Sequence, residues 1–316
     1  MPRISILLPT HNRADVIGFA IASALRQTTG DFELLVVGDG CSDGTAEVVQ
    51  GFGDERIHWY DLPKGPGFGY ENRNVALRDA RGELVAYLAH DDLWFHDHLE
   101  RMARHFEDPK VQIAYSRTLW IPPDGMILPT TFNLYLPENI EPFLKRQINC
   151  IASANVMHRR ACFERVGYWN STIEAAADQD MWARIIDAYG LKSMAFESTP
   201  TAFHFRAKWR TEANAAPSEI QVWRTWAGGG ELIPPQMRLT TPDGKSQQEA
   251  ALDLLGTSWA DEVRKGSTMF LDRLASSFVH SLTTGEWRAL ERLRSFRRKA
   301  MPDGSLRHSI WIAIRR

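Results

Sequence analysis

The sequence predicts an α/β protein with a mainly parallel central sheet flanked by helices, followed by a mostly helical C-terminal extension. Three observations carry this. From residue 3 to about residue 100, short apolar runs alternate with segments of helical periodicity, the pattern of strand–helix–strand units. Polar turn-forming stretches follow the runs, where an open parallel sheet gathers its ligands. Beyond residue 212 strand-like runs give way to helical spacing.

The elements follow in order. Residues 3–8 read as a buried strand closed by Pro9, and Thr10-His11-Asn12-Arg13 leads into a helix with Val16, Ile17, Phe19, Ala20, Ala24 and Leu25 on its apolar face. Residues 33–37 form a second strand, ending in the glycine-rich turn 38–44, with a helix from Thr45. A third strand at 56–60 precedes the loop 64–69 and a helix over 71–80. Residues 84–88 are a fourth strand, and an amphipathic segment begins near Phe95. From about residue 112 the alternation weakens. Strands are expected at 112–121, 152–158, 192–197 and 201–205, with helices at 161–166 and from Glu174 to about Tyr189. Residues 129–147 read as irregular, serving either as a lid or acceptor-side wall or as a surface excursion.

Composition narrows the classes. The 316 residues are 44% hydrophobic and 24% charged, as in globular proteins generally. A net charge of −2 gives no electrostatic case for nucleic-acid binding. Cys41, Cys150 and Cys162 are widely spaced without a CxxC pair, so they read as reduced thiols and not as a zinc site. No apolar run approaches the roughly 20 residues of a membrane span. The strand pattern at the very start argues against a secretory leader, and a cytoplasmic location is expected.

The chemistry concentrates where the fourth strand ends, at His90-Asp91-Asp92. Adjacent ionised carboxylates repel and need a cation, donors or solvent. A divalent metal on a phosphate meets that need, and a helix cap is the plain alternative. A dinucleotide-binding domain is disfavoured because the first strand-to-helix turn, Pro9 to Arg13, lacks glycine, and the Gly65, Gly67, Gly69 spacing is not GxGxxG. No phosphate-binding GxxxxGK motif is present either.

Four stretches, ISILLPTHNR, VVGDGCSDGT, ENRNVALRDARGELVAYLAHDD, and RRACFERVGYWN followed by ADQDMWARI, occur in this order. Together they resemble the family 2 glycosyltransferases, over roughly residues 3–206. The resemblance implies the GT-A type nucleotide-sugar-binding fold and metal-assisted, inverting single displacement from a nucleotide sugar, UDP-linked by expectation. It divides the chain into a transferase domain at 1–211 (nucleotide-binding half 1–110, acceptor and catalytic half 111–211) and a helical extension at 212–316. Pro9, Thr10, Asn12 and Arg13 are implied on the uridine side, with Asp39 accepting from base or ribose. A carboxylate in a glycine-rich turn suits that role, although an Asx-turn closing the loop is its rival. Arg73, in the Arg73-Asn74 pair, is implied at a phosphate or behind the metal carboxylates. Asp91 is implied as the ligand of Mn2+ or Mg2+ on the diphosphate, with Asp92 and His204 as further metal candidates and Lys208 and Arg210 near the same anion. Asp178 is implied as general base. Asp180 competes with it, but residues two apart do not share a helix face, and Asp180 is read as capping or bridging Arg184. The chain departs from the family pattern at Ala89 and Ala177, where acidic residues are usual. That departure sustains a second reading, a non-catalytic sugar-nucleotide-binding or scaffold protein. A nucleotidyltransferase would want a glycine-rich basic first loop, which THNR does not supply.

In the extension, Trp223, Trp226 and Gly228 to Gly230 suggest a junction, and 250–255, 258–263, 267–282 and 287–299 look helical. From Arg288 to Arg316 nine Lys/Arg face two acids, Glu291 and Asp303. This is either a basic surface for acidic lipid headgroups at the inner membrane face or a cap or homo-oligomer contact. The acceptor is expected to be a glycan, a lipid-linked sugar or a protein.

Overall fold

A computed structural model describes residues 2–149, 151–205 and 233–283. Cys150, Lys208, Arg210, the Trp223 to Gly230 junction and the basic segment 287–316 lie outside the described residues. The chain divides into two compact units, one of Met1–Thr118 with Pro142–His204, the other of Leu119–Glu141 with the described part of Phe205–Arg316.

The first unit is built on strands β1 (Ile4–Thr10), β2 (Phe32–Asp39), β3 (Ile57–Leu62) and β4 (Leu84–Tyr87), alternating with helices α1 (Ile17–Leu25), α2 (Thr45–Gln50) and α3 (Tyr70–Arg78). They pair in parallel in the order β3-β2-β1-β4. The next elements are β5 (Leu93–Trp94), α4 (His98–Arg104), β6 (Ile113–Ile121), β7 (Leu128–Pro129), α5 (Pro137–Leu144), β8 (Val156–Arg159), α6 (Cys162–Val166), α7 (Ala177–Tyr189) and β9 (Met194–Phe205). Beyond β4 the sheet continues β8-β6-β9-β5, with β8 antiparallel to both β4 and β6, and β5 antiparallel to β9. The result is a mixed sheet whose parallel half carries the polar loops.

The strands β1, β2 and β4 are buried almost throughout, as in a parallel sheet covered by helices, whereas β3 is only partly buried. Ile4, Ile6 and Leu8 of β1, Leu34 and Val36 of β2, and Leu84 and Ala86 of β4 pack with Ile17, Ala20, Ile21 and Ala24 of α1 and with Leu99 and Met102 of α4. The β1–β2 register pairs Thr10 with Gly38, and β2–β3 pairs Asp39 with Leu62. The loops after β1, β2 and β3 therefore leave the sheet level with one another, and the loop after β4 leaves the same edge. That alignment builds the site.

The opposite edge is held by a buried carboxylate. Ser5 Oγ donates to Glu33 at 2.6 Å, and Arg81 donates through its backbone N and its Nε, both at 2.7 Å. Burial alone would raise the Glu33 carboxyl, but the Ser5 and Arg81 donors hold it below the usual range. Gly82 donates its N–H to Ser5 Oγ at 2.8 Å, and a Cβ there would stand 2.4 Å from the Ser5 backbone nitrogen. Gly82→Ala is accordingly expected to destabilise the protein by about 2 kcal/mol or more, because the clash is with backbone that has no way to swing aside. Denaturant unfolding checks this.

The structure departs from the sequence reading in three places over residues 129–205. The two short strands expected over 192–205 are one strand, β9, whose polar stretch Glu197-Ser198-Thr199 is only the outward part of a continuous run. Residues 153–155 form a one-turn 3-10 segment instead of strand. The irregular segment 129–147 contains α5, which opens on Pro137 and includes Pro142. A proline suits a first helical turn because its ring fixes φ there.

In the second unit, Leu119 and Trp120 pair with Pro129 and Leu128, and Ile127 donates to the Met237 carbonyl at 2.9 Å. Helix α8 (Gln247–Leu255) is capped by Ser246, whose hydroxyl accepts from Glu249 N at 3.0 Å. The separate helices expected at 258–263 and 267–282 are one, α9 (Trp259–Thr283), because Val263, Ser267, Phe270 and Leu274 continue a single buried stripe. No helix among the described residues is long and apolar enough to cross a membrane.

Candidate functional site

The loops at the carboxyl edge of β1 and β2 are knitted together. His11 Nδ1 meets the Asp39 carbonyl at 2.7 Å, Asn12 Oδ1 accepts from Ser42 N at 2.8 Å, and Arg13 N donates to Thr45 Oγ1 at 2.8 Å. Asn12 sits at φ +50°, a left-handed conformation that asparagine tolerates better than most residues. Its side chain thus shapes the crevice by bracing the neighbouring loop. Thr10 Oγ1 is buried without a hydrogen-bond partner among the described residues.

Asp39 ends β2 and gathers the loop after β3. Its Oδ1 accepts from Gly65 N and Asn72 Nδ2, both at 2.7 Å, and its Oδ2 pairs with Lys64 Nζ. Gly69, at φ +69°, passes so close that a Cβ would stand 2.5 Å from the carboxyl carbon. The carboxylate is therefore both a buckle for loop 64–69 and the acidic lip of the crevice.

Arg73, one turn into α3, lies with its guanidinium 4.9 Å from the Tyr70 ring centroid and 5.0 Å from that of Trp169. Protein surrounds it closely. Burial lowers its pKa, and Tyr70, Asp178 and Asp39 act in the opposite direction, so all three lie within electrostatic reach. Its Nε has no hydrogen-bond partner among the described residues. Asn74 explains the other half of the Arg-Asn pair: its amide donates to the Trp169 carbonyl at 2.8 Å and accepts from Trp169 N at 3.0 Å. This two-way clamp holds the indole beneath Arg73. Sequence inspection missed it because the partners are 95 residues apart.

Asp178 is the second residue of α7, and its Oδ1 accepts from its neighbour Gln179 N at 2.8 Å and from Asn149 Nδ2 at 3.2 Å. Burial pushes its carboxyl up, while the Gln179 N–H, Arg73 and Asn149 hold it down; the net direction is upward. Ala177 is fully buried, whereas Asp178 is half-buried and within electrostatic reach of Arg73. Asp180 turns away to Arg184, with Nε to Oδ2 at 2.8 Å, and to Arg146 at 3.4 Å. Of the two roles read for Asp180, capping or bridging Arg184, the structure shows the bridge.

After β4, His90 Nδ1 lies 3.2 Å from the Pro9 carbonyl, which ties this loop to β1. Asp92 is buried, and His204 Nδ1 lies 3.0 Å from each of its carboxylate oxygens. Among the described residues no group of three or more His, Cys, Asp or Glu side chains is arranged to hold a metal ion. The donors present fit a sparser site. A histidine that gives one ring nitrogen to a carboxylate has its other nitrogen oriented for a metal, and hard divalent ions bind through one or two protein groups plus substrate phosphates. Asp91 and His204, with Asp92 behind the imidazole, are donors of the type such a site uses.

The sheet order, the loops on one edge and the acidic strand ends define a GT-A type fold. Two solved structures share this fold: S. aureus TarS 1-349 in complex with UDP-GlcNAc (TM-score 0.54, 17% identity, covering 87% of this chain and 80% of that one) and the mannosyltransferase PcManGT from Pyrobaculum calidifontis in complex with GDP-Man and Mn2+ (TM-score 0.53, 19% identity, covering 99% and 86%). The pattern described as Glycosyl transferase family 2 matches residues 5–167, and the chain belongs to that family. Among curated relatives, the Escherichia coli UDP-Glc:alpha-D-GlcNAc-diphosphoundecaprenol beta-1,3-glucosyltransferase WfgD is 38% identical over 97 residues, 31% of this chain and 38% of that protein. The chain spans between 20% and 59% of the lengths of the curated relatives it matches.

Proposed function

We propose that this protein transfers a sugar from a nucleotide sugar, UDP-linked, to an acceptor hydroxyl by a single inverting displacement. What supports this reading is that Asp178 and Asp39 both lie within electrostatic reach of Arg73. One carboxylate would serve the nucleotide's base or ribose and another would take a proton, with the same cation acting on both. In this reading Pro9, Thr10, Asn12 and Arg13 shape the nucleoside side and Asp39 accepts from it. Arg73 meets the diphosphate with its unspent Nε. Asp178 takes the proton of the acceptor hydroxyl as its oxygen attacks, a transfer a carboxylate manages because the hydroxyl acidifies as the bond forms. Asp91 and His204 would hold Mn2+ or Mg2+, oriented through Asp92, and that ion would supply Lewis-acid stabilisation of the departing diphosphate. The half 111–211 supplies the acceptor side. The acceptor is a glycan or lipid-linked sugar, a reading WfgD's activity supports.

The scaffold reading rested on Ala89 and Ala177. Ala177 is packed into the core, and the neighbouring carboxylate lies within electrostatic reach of Arg73, which favours an enzyme. Calorimetric titration of UDP and of GDP, each with Mn2+ and with EDTA, tests the proposal. Mn2+-dependent binding of UDP is expected. GDP binding alone would move the donor to another nucleotide, and no binding of either would return the scaffold reading. Asp91→Asn is expected to weaken Mn2+-dependent UDP binding about tenfold or more and to leave the weaker binding in EDTA unchanged, since it removes one hard oxygen ligand.

A further inference from the structure

The segment from Phe143 to Asn149 is tied to the start of α7 by a side chain that the reaction does not itself use. Gln179, fully buried, donates its amide to the Phe143 carbonyl at 3.1 Å and to the Ile148 carbonyl. Those two bonds pin the turn that ends in Asn149, whose own amide reaches Asp178 Oδ1 at 3.2 Å. The Gln179 backbone N–H lands on the same oxygen at 2.8 Å. Among the described residues, both hydrogen bonds to this carboxylate fall on Oδ1 and none on Oδ2.

We propose that Asn149 is a positioning residue for the base. Its amide, on a turn that Gln179 fixes, locks the rotation of the Asp178 carboxylate by occupying Oδ1, so that Oδ2 is the atom that receives the acceptor's proton. The proposal rests on Asp178 being the base. The geometry is economical, because one short sequence, Asp178-Gln179, supplies both the reactive carboxylate and the amide that holds its positioning partner. The groups facing Asp178 are few. Tyr70 and Arg73 approach from α3, and Asn149 from the 143–149 turn. Arg146 of that turn is spent on Asp180 and Asp187. Arg73 acts on the whole carboxylate as a charge, whereas the Asn149 amide is directed at one oxygen. Asn149 is exposed, so its replacement leaves the core intact.

The test uses the full chain with carboxyl-labelled aspartate, the Asp178 carbon signal being identified by its loss in Asp178→Asn. Asn149→Ala is expected to move the titration midpoint of Asp178 up by about one pH unit, as a donor to the charged form is lost. Gln179→Ala is expected to move it the same way, because the turn is released. In parallel, release of UDP from UDP-glucose or UDP-GlcNAc with Mn2+ is followed against pH. The acid limb of kcat should shift up with the midpoint in Asn149→Ala, with the donor KM unchanged. An unmoved midpoint in Asn149→Ala overturns the proposal even if Asp178→Asn abolishes turnover. Turnover that survives in Asp178→Asn overturns the base assignment, and the proposal with it, whatever the midpoint does.

Discussion

Asp178→Asn is expected to lower sugar transfer by about a thousandfold, the middle of the range a positioned general base contributes, with UDP affinity within about twofold of the parent. The asparagine keeps the shape and can still accept from Gln179 N and Asn149 through its carbonyl oxygen, so the start of α7 survives. What is lost is proton affinity. The expected pH dependence follows from the environment. Burial raises the Asp178 carboxyl, and the Gln179 N–H, Arg73 and Asn149 offset this only in part. Activity requires the ionised form, so turnover should fall on the acid side with a midpoint above the ordinary aspartate range. Arg73→Lys, which retains a charge but loses the planar contact with Tyr70 and Trp169, should leave that limb in place. Asp180→Asn should cost stability through Arg184 and leave the limb unmoved. If Asp180→Asn abolishes turnover and Asp178→Asn does not, the roles are reversed.

The contrast between Asp178 and Asp180 also shows what a sequence makes legible. Helical periodicity separates the two carboxylates, because a two-residue step turns the helix by about 200°. The parallel half of the sheet was equally open to reading, since β1, β2 and β4 each carry a run of apolar residues between turn signals. The short strand β5, only Leu93–Trp94, carries too little pattern to be seen, and it exists because β9 offers it a partner. The polar centre of β9 hid its continuity for a similar reason: pairing with neighbours, not local propensity, decides a strand. In the site, residue types and motifs nominated Asp39, Arg73, Asp91, Asp92, Asp178 and His204, and the fold brings Arg73 within reach of Asp39 and Asp178, and His204 against Asp92. The supporting groups were illegible. Asn74 and Trp169, Gln179 and Phe143, and Asn149 and Asp178 are pairings across 95, 36 and 29 residues, and no local spacing rule relates such partners.

Asp39→Ala is expected to weaken UDP binding by about 10- to 100-fold, the loss of one or two hydrogen bonds to a charged acceptor. Two causes would contribute, and they can be separated. The carboxylate is proposed to accept from the nucleoside, and it also buckles loop 64–69 through Gly65 N, Asn72 and Lys64. If the buckle alone mattered, Asn72→Ala and Lys64→Ala would each reproduce part of the loss, since each removes one strap. If the carboxylate itself meets the nucleoside, Lys64→Ala should leave affinity within about threefold or improve it, because it frees an oxygen from a competing donor. That competition is solvent-screened, with Lys64 half exposed, so the gain should be small. Asp39→Asn sharpens the distinction. It preserves one oxygen for Gly65 N but presents an NH2 where an acceptor stood, so it should bind UDP as poorly as Asp39→Ala while the loop keeps its protection from proteolysis. Equal UDP affinity in Asp39→Asn and the parent would make Asp39 a loop buckle, and the nucleoside contact would have to come from the β1 side, where Thr10 Oγ1 is the buried group without a partner among the described residues.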